Sequence, residues 1–184
     1  TVGITAHEAT ITLRISAWAD NLEACKKKII ATEHMIREKL GQLVYGEEDD
    51  EVEDAAASAI IAASASLASI ETGTAGRVAA LFAQAADRRQ TGSQPFFCGG
   101  LVLPDLPGDK PQLIEAAKDV ARSHNASIGL AVGPVRLIGT RQAVDVIVVK
   151  DDSVMAIEHI LGGGGIAMSR AAKSAIDQVR QMLL

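Results

Sequence analysis

The sequence predicts an α/β protein in which a small α/β module precedes a three-layer α/β/α domain with a mixed sheet. Two continuous apolar runs, SIGLAV at 127–132 and AVDVIVV at 143–149, are typical of strands in a sheet that is covered on both faces. Strand-like and helix-like patterns alternate along the rest of the chain, which places helices on both sides of one sheet. We therefore assign the module to residues 1–46 and the three-layer domain to residues 47–184.

The module is predicted to contain a strand, a helix and a second short strand. TITLRISA at 10–17 alternates apolar and polar residues, which predicts a half-buried strand. Asp20 or Asn21 caps the helix that follows, and Gly41 ends it. QLVYG at 42–46 is predicted to form the second strand. A unit of about 45 residues buries too little surface to be very stable by itself.

The larger domain is predicted to alternate strands and helices in a regular order. The acidic stretch EEDDEVED at 47–54 resembles a linker, but acids also suit the first turn of a helix, which then continues through the alanine-rich residues after it. The further strands are predicted at 66–70, 96–103, 127–132 and 143–149, and the further helices at about 74–86, 111–124 and 166–183. The spacing of apolar residues in VMAIEHIL at 154–161 is compatible with a strand and with a helix, so periodicity alone does not distinguish them.

Composition and charge argue against nucleic-acid and membrane partners. The chain carries a net charge of −5, and residues 47–54 alone hold seven acids and no base. Both flanking parts are close to neutral, so no basic face that would neutralise phosphates stands out. Apolar residues make up 48% of a globular chain, and the most apolar window, 55–70, is too short and too rich in serine for an ordinary membrane span.

The cysteines and histidines predict neither a disulfide nor a metal site. Cys25 and Cys98 are far apart, and without a secretory segment they are expected to be reduced thiols of a cytoplasmic protein. The four histidines show no i,i+4 pairing and no companion cysteines, so no metal or other cofactor is expected. Because the chain begins at Thr1 and not with methionine, we expect it to be part of a longer protein.

The stretch SIETGTAGR at 69–77 has the form of a turn from a strand into a helix. It supplies a carboxylate, two hydroxyls and two glycines between Glu71 and Gly76. Open α/β sheets bind ligands at such strand ends, which makes this turn a candidate binding site. The same residues suit a capping turn, in which Thr72 or Thr74 accepts hydrogen bonds from helix amides. Both interpretations stay open from the residues alone.

A second glycine-rich stretch, LGGGGIAMSR at 161–170, precedes the last helix. Bare amides at a helix N-terminus can cradle a phosphate. This run lacks the lysine of a P-loop and the spacing of a dinucleotide fingerprint. It therefore predicts a flexible connector.

Several stretches together resemble the C-terminal part of the competence/damage-inducible CinA proteins, a KH-like domain followed by a nicotinamide-nucleotide amidase domain. The LG…VYGE…D stretch that begins at Leu40 resembles the join between these domains. SLASIETGTAGRVAALF at 66–82 aligns with the family's nucleophile region, usually written LATAESCTGG, and FFCGGLVL and ASIGLAV resemble the strands that follow. The likeness covers essentially the whole chain and aligns 154–161 with the family's final strand. It implies hydrolysis of the carboxamide of nicotinamide mononucleotide, a small nucleotide as ligand, and a homodimer, because family members tend to be dimeric.

The resemblance assigns roles to individual residues. The family's serine nucleophile falls on Thr72, and its lysine is either lost or survives one position displaced as Lys110. The resemblance implies that amides around Thr74 to Gly76 and at Gly99-Gly100 hold the oxyanion. The implied catalytic residues are Thr72 as the nucleophile and either Asp105 or Lys110 as the proton acceptor. The implied substrate-binding residues are Glu71, Thr74, Gly76, Gly99, Gly100, Gly133 and Pro134.

Several chemical groups of the family are replaced in this chain. Gly73 stands in place of a cysteine, Pro104 in place of a tyrosine, and Ile166 in place of an arginine. An amide hydrolase cannot easily lose its proton acceptor and its charged anchor together, so the substitutions predict altered or absent catalysis. The predicted function is a nicotinamide-nucleotide amidase-like protein, with a non-catalytic nucleotide-binding or protein-interaction scaffold as the alternative. The KH-like module lacks the GxxG loop that clamps RNA, so no nucleic-acid partner is expected.

Overall fold

The computed structural model describes residues 1–7, 9–89, 95–106, 108–162 and 166–184. Within them the strands are β1 (Val2–His7), β2 (Thr10–Ile15), β3 (Leu67–Glu71), β4 (Phe97–Val102), β5 (Ile128–Val132), β6 (Arg136–Ile138), β7 (Arg141–Lys150) and β8 (Ser153–Gly162). The α-helices are α1 (Leu22–Leu40), α2 (Val52–Ala62), α3 (Arg77–Arg89), α4 (Lys110–Ser123) and α5 (Ala167–Met182). None of these helices is long and apolar enough to cross a lipid bilayer. Most of the connector predicted at the glycine run lies outside the described residues.

Strands β1 and β2 form an antiparallel hairpin, of which the sequence predicted only the second strand. Val2 lies opposite Ile15 and Ile4 lies opposite Leu13, so the apolar side chains of both strands share one face. Ile4 is 71% exposed and Ile11 is 69% exposed. The half burial predicted for β2 therefore holds for Leu13 and Ile15 but not for Ile11.

Helix α1 begins and ends at capping residues. The side chain of Asn21 accepts a hydrogen bond from the amide of Ala24 at 2.9 Å, so Asn21, not Asp20, is the N-cap. At the other end Gly41 adopts a φ of 52°, a conformation that favours glycine and stops the helix.

The strand predicted at 42–46 is wrong. The chain instead makes a short 3₁₀ turn over Gly41–Leu43. The left-handed conformation of Gly41 redirects the backbone, and the amide of Val44 then donates to the Gly41 carbonyl at 3.1 Å. This local hydrogen bond takes the place of a strand ladder.

We expect Asn21→Ala to loosen the first turn of α1 and Asp20→Ala to leave it unchanged. Loss of an N-cap oxygen costs about 1 kcal/mol, because the amide of Ala24 then has no acceptor in the chain. Hydrogen exchange of that amide, followed by NMR, should become about fivefold faster in the Asn21 variant alone. Equal acceleration in both variants would contradict this choice of cap.

The other six strands form one mixed sheet. Strands β4, β3 and β5 lie side by side and run parallel, and β7 joins β5 in the antiparallel sense. β8 pairs along one edge of β7, while β5 and β6 share its other edge. The mixed sheet is as predicted, and 154–161 is a strand.

Helices cover both faces of this sheet. Helices α2, α3 and α5 pack on one face around side chains such as Phe82 and Ile176. Helix α4 packs on the opposite face through Leu113, Ala117 and Val120. Residues of β5 and the centre of β7 are buried throughout, as their continuous apolar runs predicted. The three-layer α/β/α architecture is thereby confirmed.

The acidic stretch after the module opens a helix. Glu51 is the N-cap of α2, and Asp54 completes a reciprocal capping box with it. Asp54 also pairs with Arg88 of α3 at 2.9 Å. These acids thus stabilise the start of α2, where the helix dipole favours negative charge.

Candidate functional site

The parallel strands β3, β4 and β5 end at the same edge of the sheet. They are followed by the turn 72–76, the loop 103–109 (residue 107 is not described) and the loop 133–135. Open α/β sheets bind ligands in the crevice at such strand ends. We call this region the strand-end site and include in it the adjoining side chains of Glu71, Lys110, Arg136 and Asp145.

The carboxylate of Glu71 organises the turn after β3. This side chain is fully buried. It accepts a hydrogen bond from the Thr74 hydroxyl and further bonds from the amides of Gly76, Val78 and Ala79, at 3.1, 3.2 and 2.9 Å. The last two amides belong to the first turn of α3, which lacks intrahelical acceptors and carries the positive end of the helix dipole. The Glu71 side chain therefore lies at the N-terminus of α3, where it takes the position that a bound anion could otherwise occupy.

The backbone of the turn delays the start of α3 and uses its own amides. Ala75 and Gly76 have φ values of 51° and 87°, so the helix begins at Arg77 and not at residue 74. The amide of Ala75 donates to the Thr72 carbonyl at 3.1 Å, and the amide of Gly76 donates to Glu71. Two amides that the resemblance assigned to an oxyanion are thus engaged within the turn.

The segments around the site fit tightly against one another. A Cβ on Gly73 would lie 2.5 Å from the carbonyl oxygen of Gly133, so only glycine suits this position in the present arrangement. A Cβ on Gly133 would lie 2.9 Å from a methyl group of Leu113, which brings α4 directly onto the loop after β5. Pro134 of the same loop lies beside Gly108.

Thr72 lies half-buried between β5 and the loop after β4. Its amide donates to the Val132 carbonyl at 3.0 Å. Its hydroxyl donates to the Leu103 carbonyl at 2.9 Å. Among the described residues, no side chain is hydrogen-bonded to this hydroxyl.

Charged side chains meet on the α4 side of the same edge. Asp145 of β7 is only 2% exposed, and its Oδ2 lies 2.5 Å from Nη1 of Arg136. Its Oδ1 lies 3.9 Å from Nζ of Lys110, the first residue of α4. Arg136 also pairs with Glu158 of β8. Hydrogen bonding to Asp145, together with the negative charges of Asp145 and Glu158, outweighs desolvation and raises the pKa of Arg136.

One oxygen of Asp145 has no hydrogen-bond donor. The 3.9 Å distance from Oδ1 to Lys110 is too long for a hydrogen bond, and Oδ1 has no other partner in the described parts of the chain. An unpaired buried oxygen is costly, so this position suits the N–H group of a ligand. Sequence reasoning missed Asp145 and Arg136. The lone carboxylate inside the apolar run AVDVIVV was the signal that could have found Asp145.

The structure gathers some of the predicted site residues and leaves others apart. Gly99 and Gly100 lie opposite Ala68 and Ser69, before the strand end. A Cβ on Gly100 would lie 2.7 Å from the Cβ of Ala79, so glycine there lets α3 pack closely on β4. The side chain of Asp105 is exposed. The residues gathered at the strand-end site are Glu71, Thr72, Thr74, Gly76, Lys110, Gly133 and Pro134.

The described residues hold no group of three or more histidine, cysteine, aspartate or glutamate side chains placed to bind a metal ion. The strand-end site offers hydroxyls, backbone amides and the charged side chains beside Asp145. A ligand with both an amide donor and an anionic group would find a partner for each of them there.

Comparison with known proteins relates both parts of the chain to one group. Residues 1–46 match the family model described as the damage-inducible protein CinA KH domain. The whole chain aligns with a CinA-like protein of Kosmotoga olearia, at 27% identity over 211 residues that cover 50% of that protein. It is 29% identical over 163 residues to a putative competence-damage inducible protein of Moorella thermoacetica, covering 87% of the chain and 36% of that protein. The chain thus spans about half or less of the length of these curated relatives.

Solved structures share the fold of about three quarters of the chain. A competence-damaged protein (CinA) superfamily protein from Enterobacter cloacae superposes with a TM-score of 0.59 at 14% identity, over 77% of this chain and 97% of that one. The competence damage-inducible protein A (ComA) of Klebsiella pneumoniae gives a TM-score of 0.58 at 16% identity, over 73% and 98% of the two chains. At these identities the likeness shows the fold alone.

Proposed function

We propose that the strand-end site of this chain, which is similar to CinA proteins in sequence and in fold, binds a nicotinamide nucleotide without hydrolysing it. The amidase domain that the sequence resembles hydrolyses the carboxamide of nicotinamide mononucleotide. Our proposal keeps that class of ligand and omits the reaction. We also propose a cytoplasmic location, with which two free thiols, Cys25 and Cys98, are compatible.

The partner of the Thr72 hydroxyl is the observation that carries this proposal. A hydroxyl nucleophile needs a group that accepts its proton at a distance of about 3 Å. The hydroxyl of Thr72 donates instead to the Leu103 carbonyl, which is not a base. The ammonium of Lys110 faces Asp145, and Asp105 is exposed. Within the described parts of the chain, the Thr72 hydroxyl therefore has no catalytic base as its hydrogen-bond partner.

The charged groups beside Thr72 match the two polar ends of a nicotinamide nucleotide. Asp145 Oδ1 is a buried acceptor that has no donor among the described residues, which suits the N–H groups of a carboxamide. The side chain of Lys110 is 48% exposed, and its ammonium can pair with a phosphate as a point charge. These contacts would hold the ligand at the strand end without activating water or a hydroxyl.

Calorimetric titration with nicotinamide mononucleotide, with ammonia assayed in the same samples, tests this proposal. We expect binding without ammonia release above the blank. Lys110→Ala should weaken binding about tenfold or more, because a hydrogen bond from a charged group contributes about 1.5 kcal/mol or more. Lys118→Ala is the matched control on the same helix, since its ammonium pairs with Glu115. It should bind as the unaltered protein does.

Two other results would replace the proposal. Ammonia release that disappears in Thr72→Ala would mean hydrolysis by a threonine nucleophile, which the position of Thr72 at the strand end supports. Absence of binding would leave the protein-interaction scaffold as the function of the domain.

A further inference from the structure

We infer that the outer edge of β8 pairs with β8 of a second copy of this chain, so that two sheets join into one. Strand β8 pairs with β7 on one side, and no strand in the described ranges pairs with its other side. A free edge presents a row of unpaired N–H and C=O groups to another strand. This inference concerns assembly and does not depend on the ligand proposed above.

The two edges of the sheet differ in how they are protected. The opposite edge strand, β4, has six residues, and Gly99 with a φ of 138° interrupts its regular pairing. β8 has ten residues, contains no proline or lysine, and pairs with β7 without interruption from Ser153 to Ile160. Short strands, bulges, lysine and proline are the usual means of blocking edge pairing. Over Ser153–Ile160 β8 lacks them, and the register shift in its pairing with β7 lies after Ile160, whereas β4 is short and has a register shift beside Gly99.

The exposed apolar residues of β8 are arranged symmetrically about Ile157. Val154 is 45% exposed, Ile157 is 37% exposed and Ile160 is 48% exposed. In antiparallel self-pairing centred on Ile157, that residue faces its own copy, and Val154 faces Ile160 of the second copy. A centre at Ala156 would place Val154 against Glu158, and a centre at Glu158 would place two carboxylates opposite each other, which is destabilising. The pattern therefore selects Ile157 as the centre.

Charge also favours this register. Glu158 is already paired with Arg136 of its own chain. With Ile157 at the centre, Glu158 lies opposite Ala156 of the second copy. Pairing then brings no unpaired charge and no pair of like charges together.

Sedimentation velocity of the full chain tests whether the edge is used. We expect a dimer of twice the 19.2 kDa chain mass. The double variant Val154→Lys/Ile160→Lys should halve the mass, since lysines on an edge strand oppose pairing, with circular dichroism reporting whether the fold is retained. Leu101→Lys, at a 42% exposed position of β4, is the matched control and should remain dimeric. A monomeric unaltered chain would overturn the inference.

Cysteine cross-linking tests the register without disturbing the fold. In a background with Cys25→Ser and Cys98→Ser, Ile157→Cys would face its own copy within the Cα–Cα range of a disulfide. We expect a disulfide-linked dimer from Ile157→Cys under mild oxidation and none from Leu101→Cys. Equal cross-linking of the two variants would overturn the inference, even if the chain is dimeric through another surface.

Discussion

Glu71→Ala is expected to lower the free energy of unfolding by about 3 kcal/mol, because hydrogen bonds to a buried charged group contribute about 1.5–3 kcal/mol. The carboxylate accepts from the Thr74 hydroxyl and from amides at 2.9–3.2 Å. Its loss leaves the start of α3 without acceptors and without a negative charge at the positive end of the helix dipole. Urea denaturation, followed by circular dichroism, measures the change.

Two comparison variants make this result specific to the turn. Glu71→Gln should fall between the unaltered chain and the alanine variant, since one amide oxygen can still accept but the charge is gone. Glu115→Ala removes an exposed carboxylate from α4 and should change stability by less than about 0.5 kcal/mol. If Glu71→Ala were as mild as Glu115→Ala, the carboxylate would not be what holds the turn.

The fold class and most of its elements could be predicted because their signals are local. The buried strands β5 and β7 show continuous apolar runs, and α1 and α4 carry their own capping residues. β1 was missed because the hairpin turn lacks the usual glycine or asparagine, and Ala9 takes a φ of 68° there. β6 is only three residues long, although Gly139 with a φ of 61° marks its turn into β7.

The candidate site was also predictable only in part. The turn after β3 could be found from its own residues and from the family resemblance, because its main contacts lie within a short segment. The cluster of Lys110, Arg136 and Asp145 could not be predicted from the sequence, because it depends on strand register and on where α4 begins relative to β7. The sequence also could not show that the Thr72 hydroxyl donates to the Leu103 carbonyl, a contact between two loops.

Arg136→Met is expected to lower the free energy of unfolding by about 3 kcal/mol, because it leaves a buried carboxylate without its hydrogen-bonded counter-ion. Asp145 is 2% exposed, and the remaining cation, Lys110, is 3.9 Å away. Asp145→Ala should cost less, about 2 kcal/mol, because the guanidinium it leaves behind is partly exposed and keeps Glu158 as a partner.

The double variant Arg136→Met/Asp145→Ala separates this pair from the ligand contact. It should be more stable than Arg136→Met alone, because no unpaired buried carboxylate remains, and urea denaturation of the four proteins gives the coupling energy. Additive effects would contradict a direct pair. Lys110→Ala should change stability by less than about 0.5 kcal/mol, because its ion pair is long and half exposed. Arg136 would then be the residue that holds the Asp145 side chain in place, which leaves the ammonium of Lys110 available to a phosphate.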